Sequence, residues 1–487
     1  MLADPMTSRS ASCRSQIEFS TFVATVLMLV VSPVFGVDIE LSKQLSTRLT
    51  YSDNLNRSDD RKSGGFIWEV VPGFVLNAKG RRLNADIAYA AQTSYETGED
   101  SGGRLDHRLQ ANVGSELYED HVFLDLAVTG RQELIDSFAP GAFDTAGYNN
   151  NQQTTWTYRV NPSYRQRFGR YSDLRLDLET NGVLYSETQD DESQGYVAKG
   201  RLTSGGFWEP AFFELRTRYE EEQYRSTGSS RFANLQNDAG YRVDRRWRFL
   251  ASAGYEDNDY LSFEDTSGPI WGLGLDWTPT ARTQLVSRAE HHYYGWAPRI
   301  ELSHRSRMSR LTARYAKEIE TERARGLRQE VYRFKDAFGE SIVPELGTDP
   351  GASSMRSIST STAYVLQRLA LEYTLQTRRS TVSLGADYET YDYELSGADE
   401  EVAECHFSWT RSLSRDASAN LLLRWSDRTR GTGTATTGED VAVDEYAIDL
   451  GLRRKLSDHM STSLNYGFRD YDDGAENRVT VSIGLNW

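Results

Sequence analysis

The chain has 487 residues and a formal net charge of -16, with 38% hydrophobic residues yet 27 Tyr, 19 Phe and 10 Trp. That acidic balance argues against a nucleic-acid partner, because phosphate backbones attract basic faces. The aliphatic content is too low for one large globular core, and the aromatic content is too high for a disordered chain.

A membrane barrel reconciles these constraints, because alternate residues of each strand meet lipid and a polar interior. Read from the N-terminus, Arg9 and Arg14 precede an apolar run over 22–31, and Ser32, Pro33 and Gly36 follow it. This charged, apolar, small-residue order predicts a signal peptide over 1–36, and the run is too short to span a bilayer as a helix. Cys13 falls within that peptide, so Cys405 is expected to stand alone, sharing a lipid-facing strand face with Phe407 and Trp409.

Strand character begins at once, with Ile39, Leu41, Leu45 and Leu49. Farther on, Leu174, Leu176 and Leu178 alternate with Asp173, Arg175, Asp177 and Glu179. Short turns are expected at 78–82, 118–120, 168–173, 208–210, 244–246, 278–281, 305–309, 377–380, 412–416 and 457–460. Longer polar loops, over 53–65, 136–153, 256–268, 321–357 and 428–440, fall between them. If the first strand rises from the periplasm, long loops lie outside and short turns inside, the tight 295–297 connection being the one exception. The chain ends with Val479, Val481, Ile483, Leu485 and Trp487 alternating with small polar residues. Such a terminal aromatic strand closes a barrel, and similar strands serve as its assembly signal, which assigns that role to Trp487.

The fold expected is therefore all-β: a single transmembrane antiparallel β-barrel over 37–487. It should have about 22 strands, within roughly 18 to 24, with an even number favoured. Because strands start so soon after the signal peptide, no plug domain is expected. A β-solenoid or propeller is the competing fold, but no fixed-period repeat supports it. Trp68, Trp156, Trp208, Trp271, Trp277, Trp409 and Trp425 fall on strands or beside short turns, where interfacial girdles form.

Alternation predicts which polar side chains face the lumen. Three successive strands would turn Arg288, Glu290 and His292, then Arg299, Glu301 and Arg305, then Arg314, Glu318 and Glu320 inward. This mixed-sign wall reads either as a cross-strand ion-pair ladder or as a surface that guides a passing polymer. No catalytic residues, metal site or cofactor are expected. His291 and His292 should point to opposite faces of one strand, and His304 should face lipid.

Several segments carry a family resemblance: 107–112, 123–126, 164–169, 277–283, 303–307 and 364–369 with Arg378 and Arg379. Together, and in this order, they resemble the outer-membrane β-barrel family associated with the PEP-CTERM/exosortase system of exopolysaccharide-producing bacteria. The chain departs from the pattern at Thr377, where a glycine would precede the arginine pair. The resemblance implies a cell outer membrane location and a conduit or anchor linked to exopolysaccharide export and protein sorting. The expected partners are outer-membrane lipid, the barrel-assembly machinery, and exopolysaccharide or export-complex proteins. A non-conducting docking barrel and an outer-membrane hydrolase are the alternatives.

Overall fold

The computed structural model describes residues 36–55, 62–97, 102–135, 152–188, 192–226, 228–262, 265–321, 323, 363–393, 399–431, 441–471 and 474–487. The expected signal peptide lies outside these residues apart from Gly36.

The wall begins with β1 (Asp38–Ser52), β2 (Gly65–Lys79), β3 (Leu83–Glu96), β4 (Gly102–Tyr118), β5 (Val122–Leu134) and β6 (Gln152–Phe168). It continues through β7 (Ser172–Tyr185), β8 (Ser193–Ser204), β9 (Ala211–Tyr224), β10 (Gly228–Arg242) and β11 (Trp247–Asp259). Then come β12 (Ser267–Thr280), β13 (Thr283–His292), β14 (Gly295–Arg305), β15 (Ser309–Thr321) and β16 (Ala363–Gln376). The last are β17 (Ser380–Asp392), β18 (Asp399–Ser412), β19 (Ala417–Arg430), β20 (Val441–Ser457), β21 (Met460–Tyr471) and β22 (Gly474–Asn486).

Each strand pairs antiparallel with the next, as β21 does with β22, and β22 returns to β1. The closing register runs from Gln44↔Asn486 to Ser52↔Arg478. The Lys43 N–H donates to the Trp487 carbonyl at 2.8 Å, and the Trp487 N–H donates back to Lys43 at 3.0 Å. Closure leaves almost no unpaired strand edge, which matters in lipid because water cannot satisfy a free N–H or C=O there. Both the strand count and the expected closing role of the C-terminal strand agree with the sequence pattern.

Turn placement follows that pattern with small shifts. The tight exception falls at 293–294, and Gly295, with φ +96°, opens β14. The turn expected at 278–281 closes at 281–282 instead, after a register shift between Trp277 and Thr280. All even-to-odd connections are short and lie at one end. In outer-membrane barrels that end is periplasmic, and the longer loops are extracellular.

Side-chain alternation gives the wall two chemistries. Outward registers expose Leu273, Leu384, Leu450, Leu464 and Val481, while the inward set includes Glu69, Gln92, Glu222, Glu400 and Glu476. Leu273, near the middle of β12, is 70% exposed. An arginine there would place a charge in hydrocarbon at a cost of about 2–4 kcal/mol. Leu273→Arg should lower the unfolding free energy in bilayers by that amount, as read from denaturant titration. A shift below about 1 kcal/mol would contradict a lipid-facing position.

Candidate functional site: the barrel lumen

Strands β13, β14 and β15 carry the charged wall anticipated from the sequence. Trp296, Ile300 and Leu311 are exposed on the outer face, so alternation turns Arg288, Glu290, His292, Arg299, Glu301, Arg305, Arg314, Glu318 and Glu320 inward. His291 lies outside, stacked on Trp271 and meeting Trp296 edge-on, with ring centroids 5.4 Å from each. His292 lies inside, with Nδ1 3.1 Å from Glu256. His304, on the outer register, meets the Thr283 hydroxyl at 2.8 Å. The two adjacent histidines are thus separated by the sheet.

The anticipated ladder forms only in part. Arg299 reaches Glu318 at 3.3 Å. Arg288 stands opposite Arg299 in the register, and like charges repel at that spacing. Arg288 therefore turns the other way, to Asp276 of β12 at 2.6 Å. Glu290 accepts a hydrogen bond from Gln236 at 2.6 Å and lies 3.8 Å from His292 Nε2. Glu301 and Arg314 face each other in the register, Arg305 faces Arg310, and Glu320 is buried at the loop end. Tyr294, in the turn beyond β13, is half-buried and stacks on His292 at 5.1 Å. Desolvation holds its phenol above the ordinary tyrosine range.

Arg299 and Glu318 are partly hydrated, so their attraction is screened. Arg299→Gln should change barrel stability by no more than about 1 kcal/mol. A larger loss in the same denaturant titration would show that this pair, rather than the wall as a whole, holds the strands together.

Sequence reading missed the most buried cation among the described residues. Just past β15, Arg323 is fully buried and lies against the inner faces of β7, β8 and β9, although β10 to β14 intervene along the wall. Its Nε donates to Ser193 at 3.1 Å, Nη1 to Glu222 at 3.4 Å, and Nη2 to the Asn181 carbonyl at 3.1 Å and to the Asn181 side chain. Glu222 also accepts from Thr321 at 3.2 Å and from Tyr224 at 2.7 Å. A Cβ at Gly195 would sit 2.6 Å from the guanidinium nitrogens, so only glycine leaves room for this contact. Arg323 is therefore a latch that runs from the start of the longest loop to a distant stretch of wall. Strand periodicity stops before Arg323 and could not reveal it. Asp276 and Glu256 do occupy inward registers of their strands and could have been read by parity.

The rest of the loop-end half is dense with paired polar groups. Ser52 donates to Glu476 at 2.5 Å, Glu476 pairs with Arg478 at 2.5 Å, and Arg48 meets Glu69 at 3.3 Å. Arg428 meets Glu404 at 3.4 Å, and Arg469 meets Asp449 at 2.9 Å. Buried charges persist only when paired in this way.

A closed wall that is apolar outside and polar inside defines the protein as an outer-membrane β-barrel. No family model matches the chain, and no curated relative matches it. Solved structures do. The siderophore receptor PirA from Acinetobacter baumannii is similar over 92% of this chain and 80% of its own, at 9% identity and a TM-score of 0.50. A point mutant of the ferric enterobactin receptor PfeA from Pseudomonas aeruginosa, in complex with enterobactin, is similar over 92% and 81%, at 10% identity and a TM-score of 0.50. The apoprotein form of the FrpB iron transporter from Neisseria meningitidis gives the same shares, identity and score. At such identities the likeness is one of fold.

These structures correct one expectation. Siderophore receptors with this closed 22-strand wall carry a plug domain, so the expectation of a barrel without a plug does not stand. The physical reason is that an early first strand locates the start of the wall and says nothing of what fills the lumen.

Proposed function

We propose that this outer-membrane barrel conducts or anchors exopolysaccharide, or proteins sorted with it, at the cell surface. One observation supports this reading: the lumen presents exposed, inward-facing Arg299, Glu301, Arg305 and Arg314, three basic groups and one acidic. Such a wall offers many hydrogen-bond donors beside an acceptor carboxylate, which suits a hydroxyl-rich polymer, one bearing acidic groups included. The sequence resemblance described above adds the same process. The export-complex proteins and the assembly machinery are partners under this proposal.

The test compares a deletion strain with its parent for secreted polysaccharide and for surface-sorted proteins. The proposal requires at least one of the two to fall and to return on complementation; unchanged amounts of both would overturn it. A second reading takes a ferric siderophore as the ligand, since the similar structures are named for siderophores and iron. The same strain decides between them: defective growth on ferric chelates with normal polysaccharide favours the second reading.

A further inference from the structure

Charge is unevenly spread along the barrel axis. Although the chain as a whole carries -16, one arc of the short-turn rim is basic. Arg245 and Arg246 lie in the β10–β11 turn, and Arg378 and Arg379 in the β16–β17 turn. The intervening turns carry Arg282 and Arg307, and the next carries Arg415. All are exposed, and none forms an ion pair among the described residues. The acids in these five turns are Asp244 and Asp416, and the Asp244 carboxylate is already occupied by the N–H groups of Arg246 and Trp247 at 2.7 and 2.8 Å. Elsewhere on the rim, Arg81 and Arg82 are matched by Glu119 at 3.5 and 3.3 Å and Arg242 by Glu209 at 3.2 Å, while Arg170 of the β6–β7 turn lies by itself over the Phe207 ring at 5.8 Å.

We infer that this arc binds the phosphate headgroups of anionic phospholipid in the inner leaflet of the outer membrane. Guanidinium groups match phosphate oxygens in fork geometry, and turns at this end lie at headgroup depth. Two further features place the arc at the lipid boundary rather than in open water. Val243, Met308 and Leu413 stand exposed among the arginines, an apolar surface that a soluble polyanion would not cover. Just beyond, Trp247 stacks on Trp277 at 5.4 Å, as indole rings do at the membrane interface. The apolar turn residues enter the leaflet while the arginines hold its phosphates.

Native mass spectrometry of the full-length barrel, offered equal phosphatidylglycerol and phosphatidylcholine in micelles, tests this inference. Each arginine near an anionic surface contributes roughly a fivefold preference. The wild-type barrel should retain phosphatidylglycerol over phosphatidylcholine by at least that factor. Arg245→Gln with Arg246→Gln, and Arg378→Gln with Arg379→Gln, should each reduce the ratio severalfold, whereas Arg81→Gln with Arg82→Gln should leave it unchanged. Heat-modifiable electrophoretic mobility confirms that each pair variant is folded, and a pair that fails to fold is replaced by its two single variants. Equal retention of both lipids, or an undiminished preference in both arc variants, would overturn the inference. Polyglutamate displacing the lipid from the wild type but not from the arc variants would also overturn it, in favour of a macromolecular polyanion.

Discussion

Arg323→Ala should destabilise the barrel by about 3–5 kcal/mol, because it leaves the Glu222 carboxylate buried without its cation. Glu222 is 1% exposed, and the guanidinium opposite it makes contacts to three strands. Glu222→Gln combined with Arg323→Ala should recover part of the loss, since the orphaned charge is then gone. A double-mutant cycle read by denaturant titration in bilayers isolates this coupling. A single-variant loss under about 1 kcal/mol would mean that the latch is not held by charge. If the barrel conducts, planar-bilayer recordings should also show altered conductance in Arg323→Ala, because the latch ties the start of the longest loop across the lumen.

The second large effect concerns closure. Val481 lies between two partners, Leu49 of β1 and Leu464 of β21. Val481→Pro removes a ladder N–H and sets a ring against a neighbouring strand, which central strands do not accommodate. The barrel would then present open edges to lipid. Folded protein in the outer membrane should fall by about tenfold or more, as read by heat-modifiable mobility. Ile39→Pro is the internal control: Ile39 pairs with Ala78 of β2 and has no β22 partner, so the loss should be much smaller. Equal losses from the two prolines would show that β1–β22 closure does not limit assembly. Deleting Trp487 removes both of its backbone hydrogen bonds to Lys43 and should reduce assembly in the same assay.

Much of this was legible in the sequence because a barrel wall is a local code. Two-residue alternation such as Val479–Val481–Ile483 against Thr480 and Ser482 fixes strand, face and register parity together. The same parity placed the charged set of β13 to β15 on the inner face and separated His291 from His292. It did not say which inward charges would meet. On the ladder reading Arg288 would pair across the β13–β15 strands, but the register sets it against Arg299 and sends it to Asp276. The absence of a plug was likewise read from where strands begin, and the fold shared with siderophore receptors corrected it.

The sequence by itself determined the all-β class, the two faces and the closing role of the last strand, and brought the strand number to about 22, because alternation depends on neighbours one or two residues apart. Only the tertiary structure decided that Arg323 crosses to Asn181, Ser193 and Glu222, and that an arc of unpaired arginines gathers on one side of the rim. Both arise when curvature brings distant strands and turns together, and no periodicity along the chain encodes a contact across a cylinder.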